Sequence, residues 1–353
     1  MQGDRDEAVK RLEAFRSAVA GTAGTLVILG HDYPDPDCLG AAAAMQELLR
    51  RACDRPGIIA YGGDLGRPEN RAMAGVLDIE SVDLDTAQAG NPAGCVLVDT
   101  QPGSGNNSLP EDLPVVAVID HHDPPPDPYE AAWVDVRAGA YGSTSTMLAE
   151  YFEAADLELD ERLATALLLG LRTDTEDLER DAGPADVDAY VRLFGLANRQ
   201  NMIQVMRPPL TEEYFGMLHR ALDRARRWEN AVVSNLGPVV SPDMLSEVSE
   251  LFARLKGIEL SLAVGVHEGR VCLSLRTRRP QRRLLELIRT IVGPEGRAGG
   301  HGRAVGGQLT PKDGDALGAS EALCALFIES IGATEAGPRP VSIQGEDGAT
   351  EEG

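Results

Sequence analysis

Aromatic residues are scarce in this sequence: Phe, Trp and Tyr make up 4% of 353 residues, with two tryptophans. Gripping long single strands of nucleic acid takes a row of exposed aromatic rings, so that class is disfavoured. Lysine is rarer still, occurring only at Lys10, Lys256 and Lys312, and every other basic residue is arginine. With 33 Lys+Arg against 56 Asp+Glu the formal net charge is −23. Such a chain is not expected to bind duplex DNA over its surface, because that affinity comes from neutralising phosphates. The five cysteines (Cys38, Cys53, Cys95, Cys272, Cys324) form no CxxC pair. That argues against a disulfide framework or a thiolate zinc site and fits a reducing, cytoplasmic location. No apolar run approaches the ~20 residues needed to cross a bilayer. The charged start MQGDRDEAVKR lacks the apolar core of a signal peptide, so no membrane partner is expected.

What is present is an ordinary hydrophobic content of 43%, enough for one or two packed cores. Apolar runs at 25–30, 57–61, 95–99 and 115–120 read as buried strands. Helical patterns lie between and after them, at 40–53, 144–155, 161–171 and 184–199. Buried strands alternating with helices predict an α/β fold with a doubly wound, mostly parallel sheet. Residues 198–215 read as a linker into a smaller C-terminal α/β domain over 216–335, with the active-site cleft between the two. Within that domain 293–307 reads as a glycine-rich loop. The first domain is placed at 1–197, and the polar tail from 336 to 353 is expected to be disordered.

Acidic and imidazole side chains collect where these strands end. The first strand runs into His31-Asp32-Tyr33-Pro34-Asp35-Pro36-Asp37, Asp99 ends the next, and Asp120-His121-His122 ends the one after. Asp174 follows a helix in Gly-Leu-Arg-Thr-Asp-Thr. In parallel sheets, ligand groups gather past the carboxyl ends of the strands. Two carboxylates ahead of a helix are often mere caps, but converging carboxylates without a matching set of bases would repel unless cations sat between them. A His/Asp set without cysteine suits Mn²⁺ or Mg²⁺ better than structural zinc.

HDYPDPDCLG, VLVDT, VIDHH and GLRTDT, in this order, resemble the four motifs of the DHH phosphoesterases. The later AGGHGRAVGG resembles the signature of the DHH-associated C-terminal domain, so the likeness runs to about residue 330. Within the family, size and domain order are most similar to the NrnA-type oligoribonuclease and 3′-phosphoadenosine-5′-phosphate (pAp) phosphatase group. The resemblance implies two Mn²⁺ ions, with Mg²⁺ as the alternative. His31, Asp35 and Asp99 would hold one; Asp37, Asp99, His121 and Asp174 the other. Asp120 would orient an imidazole and His122 would face the phosphate as catalytic residues. Hydroxide between the ions would attack phosphorus in line. Tyr33 departs from the Asn frequent at its place, and Ala41 from a common Ser, which bears on substrate fit rather than on metal binding.

A second cluster is basic. Nine arginines lie between Arg270 and Arg303 against Glu286 and Glu295. A solvated face explains most such runs. Here Ser274 and Arg276 resemble the family's Ser-x-Arg element, and Gly299, Gly300, His301 and Arg303 form a Gly-rich run able to approach a phosphate. These six residues are the expected substrate contacts. The function implied is hydrolysis of short oligoribonucleotides to mononucleotides, and of pAp to AMP. Cyclic-dinucleotide or linear dinucleotide hydrolysis is the alternative, and a nucleotide-binding regulatory protein the non-enzymatic one. An inorganic pyrophosphatase would share the metal motifs without the Gly-Gly-His run. The partners expected are short RNA or nucleotide; a homodimer is left open.

Overall fold

Short strands of Val, Ile, Leu and Ala, apolar on both faces, set the architecture of the first half of the chain. The computed structural model describes residues 2–125, 127–279, 283–333 and 337–341; the side chains of 2–4 and 301 fall outside that description. It divides into two units, residues 1–209 and 210–353.

The first unit runs α1 (Gln2–Ala20), β1 (Leu26–Leu29), α2 (Pro36–Cys53), β2 (Gly57–Tyr61), α3 (Pro68–Val76), β3 (Val82–Asp83), α4 (Leu84–Ala89), β4 (Gly94–Val98), β5 (Val115–Asp120) and β6 (Trp133–Val136). It continues with α5 (Thr144–Ala154), α6 (Glu161–Asp174), α7 (Pro184–Leu196) and α8 (Arg199–Met206). The six strands form one sheet in the order β3-β2-β1-β4-β5-β6, parallel throughout. Alternation decides the faces. Leu26 and Ile28 of β1, with Val96 and Val98 of β4, join a large core built with α1, α2, α5 and α6. Val27, Leu29, Cys95 and Leu97 point the other way, onto Ala87 of α4 and the loop residues Leu109, Leu113 and Tyr129. The second face is therefore covered largely by loops rather than helices. Strand order reverses at β1, whose neighbours are β2 and β4. The chain leaves β1 toward one edge and returns at β4 toward the other, which opens a crevice at their carboxyl ends.

The helices beside that crevice cross closely. A Cβ at Gly40 of α2 would lie 2.7 Å from the Ala166 carbonyl oxygen of α6, and one at Gly170 of α6 would lie 2.8 Å from the Asp37 Cα. Four alanines, Ala41–Ala44, continue the narrow side of α2 and are buried.

The second unit runs α9 (Glu212–Arg224), β7 (Arg226–Trp228), β8 (Ala231–Pro238), α10 (Asp243–Ala253), β9 (Leu260–His267), β10 (Arg270–Thr277), α11 (Leu284–Val292), β11 (Arg297–His301), β12 (Ala304–Leu309), α12 (Ala316–Ser330) and β13 (Arg339–Pro340). Its seven strands are ordered β11-β12-β10-β9-β8-β7-β13, antiparallel except for β8 with β9. α9 and α10 pack on one face, α11 and α12 on the other.

Three expectations change. The stretch 293–307 is not a loop: β11 and β12 make a hairpin, with Gly300 at φ +111° and no room for a Cβ beside the Ala304 carbonyl. The expected linker contains α8, whose Met202 and Val205 are buried in the first core. Within the tail, Arg339–Pro340 pairs with β7, while 342–353 lie outside the described residues.

The helix crossing yields a stability test. Gly40→Ala is expected to destabilise the protein by about 1–3 kcal/mol through overpacking against backbone. Gly75→Ala in α3, where nothing lies within 4 Å of the added Cβ, is expected to stabilise by a few tenths to about 1 kcal/mol. Chemical denaturation of both variants reads the difference; equal effects would contradict the crossing.

Candidate metal centre

The loop after β1 is held extended by Pro34 and Pro36, with Pro36 opening α2. Asp35 is the N-cap of that helix and accepts the backbone N–H groups of Asp37 (2.9 Å) and Cys38 (3.0 Å). Its other oxygen is left for the crevice. His31 is oriented by a contact of 3.0 Å between its Nδ1 and the Asp32 carbonyl. Its Nε2 then lies 3.7 Å from Asp35 and 3.6 Å from Asp99.

Asp37 sits two residues further on, in the first turn of α2, and is fully buried. The start of α5 receives it: Thr144 N–H donates to Oδ2 at 2.7 Å and Ser145 N–H to Oδ1 at 2.8 Å. The Thr144 hydroxyl donates to Asp99 Oδ1 at 3.0 Å. Ser143 caps the same helix through the Thr146 N–H, as the Gly-Ser-Thr-Ser-Thr run suggests. The free N–H groups of this helix start thus serve a carboxylate, which leaves no need for a phosphate there. The buried Asp186 of α7 fixes this helix start, accepting from Gly142 N–H (2.9 Å), Gly183 N–H (2.8 Å) and the Thr146 hydroxyl (2.6 Å).

Asp99, at the end of β4, is buried and held at φ +59°, a left-handed conformation uncommon for a residue with a side chain. His121 follows β5. Its Nε2 lies 2.9 Å from Asp174 Oδ2, 3.6 Å from Asp99 Oδ1 and 4.0 Å from Asp37 Oδ2. Although buried, that nitrogen has no partner in hydrogen-bond geometry. His31, Asp35, Asp37, Asp99, His121 and Asp174 are thus brought together. The donor atoms of Asp99, His121, His122 and Asp174 lie within 4.8 Å of one another, as do those of His31, Cys38 and Asp99.

Asp120 and His122 form a separate arm. Asp120 Oδ1 contacts His122 Nδ1 at 2.8 Å and accepts the backbone N–H of His121. Its Oδ2 accepts from Gln101 Nε2 at 2.8 Å. His122 is the more open imidazole, with its side chain 34% exposed. Gln101, fully buried, also accepts from the Tyr129 hydroxyl. Sequence reasoning passes over it, since a lone glutamine two places after Asp99 carries no signal until the fold sets it against Asp120. Cys38 likewise carries no signal of its own in the sequence. Burial pushes its thiol well up, so it walls the site as a thiol. Arg180, six residues after Asp174, binds the Asp174 carbonyl and pairs with Glu176.

The electrostatics follow from crowding. Burial, with Asp174 and Asp35 nearby, pushes Asp37 up to about 7. Burial and Asp37 push Asp99 well above the carboxylate range. For the imidazoles burial works against charge, yet Asp35 and Asp99 hold His31 up at about 10, Asp174 and Asp37 hold His121 at about 9, and Asp120 holds His122 at about 9. Asp35 goes the other way: His31 outweighs burial and keeps its carboxyl below the usual range. Protons stand in for missing positive charge. Divalent cations fit this donor set, since they would satisfy the His121 Nε2 and relieve the repulsion among the carboxylates.

In the second unit, strand register collects the other expected residues. Ser274 faces Gly306, which faces Gly299; Arg276 faces Ala304, which faces His301. Ser274 Oγ contacts Ser249 Oγ at 2.9 Å, and Arg276 bonds Ser274 (3.1 Å) and Glu250 (3.2 Å). Arg303 sits in the hairpin turn, its carbonyl accepting from Thr277 N–H. Packing explains Gly300 but not Gly299, where a Cβ would meet nothing within 4 Å. The His301 side chain lies outside the described residues.

Residues 25–171 match the DHH family, N-terminal domain. Over this segment the chain is similar to the DHH family. An uncharacterized protein of Methanocaldococcus jannaschii is 30% identical over 311 residues, 87% of this chain and 62% of that protein. A probable manganese-dependent inorganic pyrophosphatase of Streptococcus thermophilus is 29% identical over 180 residues, 48% of this chain and 56% of that one. The chain thus spans about three fifths of the length of these relatives. The crystal structure of an exopolyphosphatase-related protein from Bacteroides fragilis shares the fold, with a TM-score of 0.64 at 16% identity, over 93% of this chain and 97% of that one. Among the described residues no helix is long and apolar enough to cross a membrane.

Every shifted imidazole, and Asp37 and Asp99, binds protons more tightly in the folded metal-free chain than their ordinary values allow. The histidine contribution is complete below about 6.5 and is lost as pH rises through 9 to 10. Stability of the metal-free chain should therefore fall between pH 6.5 and 9. The rise in melting temperature caused by Mn²⁺ should grow over the same window, because ions replace protons. Melting curves in chelator and in Mn²⁺ test this, and a Mn²⁺ increment that stays flat with pH would contradict the site.

Proposed function

We propose that the protein is a Mn²⁺-dependent phosphoesterase of the DHH family that hydrolyses short oligoribonucleotides to mononucleotides and pAp to AMP. The observation that carries the hydrolytic reading is the meeting of four carboxylates and two imidazoles at the strand-order reversal, with His121 Nε2 buried and unbonded. Two divalent ions bound there would lower the pKa of a water and neutralise charge on phosphoryl oxygens. The protein's own contribution is placement. Asp37 is fixed by α5, and His31 by the Asp32 carbonyl, before any ligand arrives. His122, held at Nδ1 by Asp120 and with its side chain 34% exposed, is suited to donate a proton to a leaving oxygen. In the second unit, Arg276 and Ser274, beside the unobstructed backbone at Gly299, supply a handle for a second phosphate.

The finer substrate choice rests on the likeness of Ser274, Arg276 and the Gly299–His301 run to the phosphate-binding elements of the nucleotide-hydrolysing relatives, since a handle for a second phosphate by itself would serve pyrophosphate as well. A second reading, inorganic pyrophosphatase, is favoured by the name of the Streptococcus thermophilus relative. The metal-centre match to the family lies in the first unit, so it serves both readings equally.

Purified protein with Mn²⁺ should be offered di- to pentaribonucleotides, pAp, cyclic-di-AMP and pyrophosphate in parallel. Release of mononucleotide or phosphate from the first two is expected to exceed turnover of the others. Faster turnover of pyrophosphate would replace this reading with the second. Asp99→Ala should lower activity at least about a thousand-fold while weakening Mn²⁺ binding, because Asp99 approaches both His31 and His121.

A further inference from the structure

On the α12 face of the second sheet lies a groove of about 580 Å³, lined by Arg224, Arg226, Trp228, Asn235, Leu317 and Glu321 among others. It is on the side opposite Ser274 and Arg276, which contact α10, whereas Asn235 bonds Ser320 of α12 at 2.9 Å. Two of the groove's side chains are guanidiniums held by backbone carbonyls, whereas Arg137 and Arg172 pair with carboxylates. Arg224 bonds only the Asn235 carbonyl (3.3 Å), and Arg226 only the carbonyls of Asp223 (2.7 Å) and Ala225 (3.0 Å). Among the described residues neither lies within ion-pair distance of a carboxylate. The carbonyls hold the guanidiniums without neutralising them. Gly237, at φ +68°, lets Arg224 lie against the backbone, since a Cβ there would come within 2.9 Å of its Nη1.

The rest of the groove suits a flat apolar body. Trp228 is half-buried and Leu317 is 52% exposed, an open hydrophobic side chain beside two cations. A guanidinium pair favours a phosphate, and an indole with a leucine favours a planar ring. The volume matches one small ligand and not a polymer.

We propose that this groove binds a nucleoside monophosphate, its phosphate between Arg224 and Arg226 and its base against Trp228 and Leu317. The chemistry involved is binding alone. The inference goes beyond the hydrolytic reading, because it requires neither metal nor turnover.

Trp133 is the second tryptophan, so Trp133→Phe leaves Trp228 as the sole indole reporter. In this background, with chelator present, AMP is expected to change Trp228 fluorescence saturably. Arg224→Ala with Arg226→Ala should raise the midpoint at least about ten-fold. Glu321→Gln, which removes an acidic group from the groove, should lower it. Inorganic phosphate should compete, but more weakly than AMP. No saturable change up to about 10 mM AMP, or an unaltered midpoint in the double variant, would overturn the proposal. Phosphate competing as well as AMP would overturn the base contact. Calorimetric titration of the unsubstituted chain guards against a folding defect in Trp133→Phe, and absence of AMP binding there would also overturn the proposal. A failed substrate panel would leave this result standing, and the reverse holds as well.

Discussion

One buried carboxylate ties the first unit together. Asp37 is taken out of water at the start of α2 and met by two backbone N–H groups at the start of α5. Without those bonds, burying it would be strongly unfavourable. With them, the loop after β1 is pinned to a helix more than a hundred residues later in sequence. Thr144 extends the same clasp to Asp99 at the end of β4. The two strands on either side of the topological switch are thus held to one helix terminus. The crevice between them is set by these bonds before any ligand is considered.

The clasp depends on backbone reaching backbone. Gly40 and Gly170 allow α2 and α6 to cross where any Cβ would strike a carbonyl or Asp37 itself. Asp186 holds the far side, accepting from Gly142, Gly183 and Thr146 so that α7 fixes where α5 begins. None of these residues faces the crevice as a donor. Their effect is transmitted through the position of α5, which shows why the site depends on four helices, α2, α5, α6 and α7, although several of its donors come from strand ends.

Much of this was legible in the sequence because the informative features are local. An apolar run that ends in Asp or His already says where its side chain will emerge, and four such ends name the donors His31, Asp35, Asp37, Asp99, His121 and Asp174. The parallel sheet follows from the same runs. The long-range partners were not legible. Gln101 is an unremarked glutamine until β4 and β5 pair and bring it against Asp120. Asp186 lies among ordinary helix-start residues, and only the fold brings it to Thr146. The hairpin at 297–309 was hidden for a different reason. Glycine suggests freedom, yet Gly300 is demanded by a close approach between two paired strands, so the composition of a loop accompanies a regular β structure.

The net charge of −23 averages over two opposite local imbalances. In the first unit, acids converge where, among the described residues, no lysine or arginine balances them, and the structure answers with raised carboxyl and imidazole pKa values. That is the signature of a place built for cations, because protons are the weaker substitute. In the second unit, Arg224 and Arg226 are held by carbonyls and, among the described residues, have no carboxylate within ion-pair distance. Want of a carboxylate does not by itself mark an arginine for an anion, because, among the same residues, Arg71 and Arg227 are also held by carbonyls alone. What sets Arg224 and Arg226 apart is that both line one groove with an indole, whereas the Arg137 guanidinium is saturated by Asp135 and Glu150.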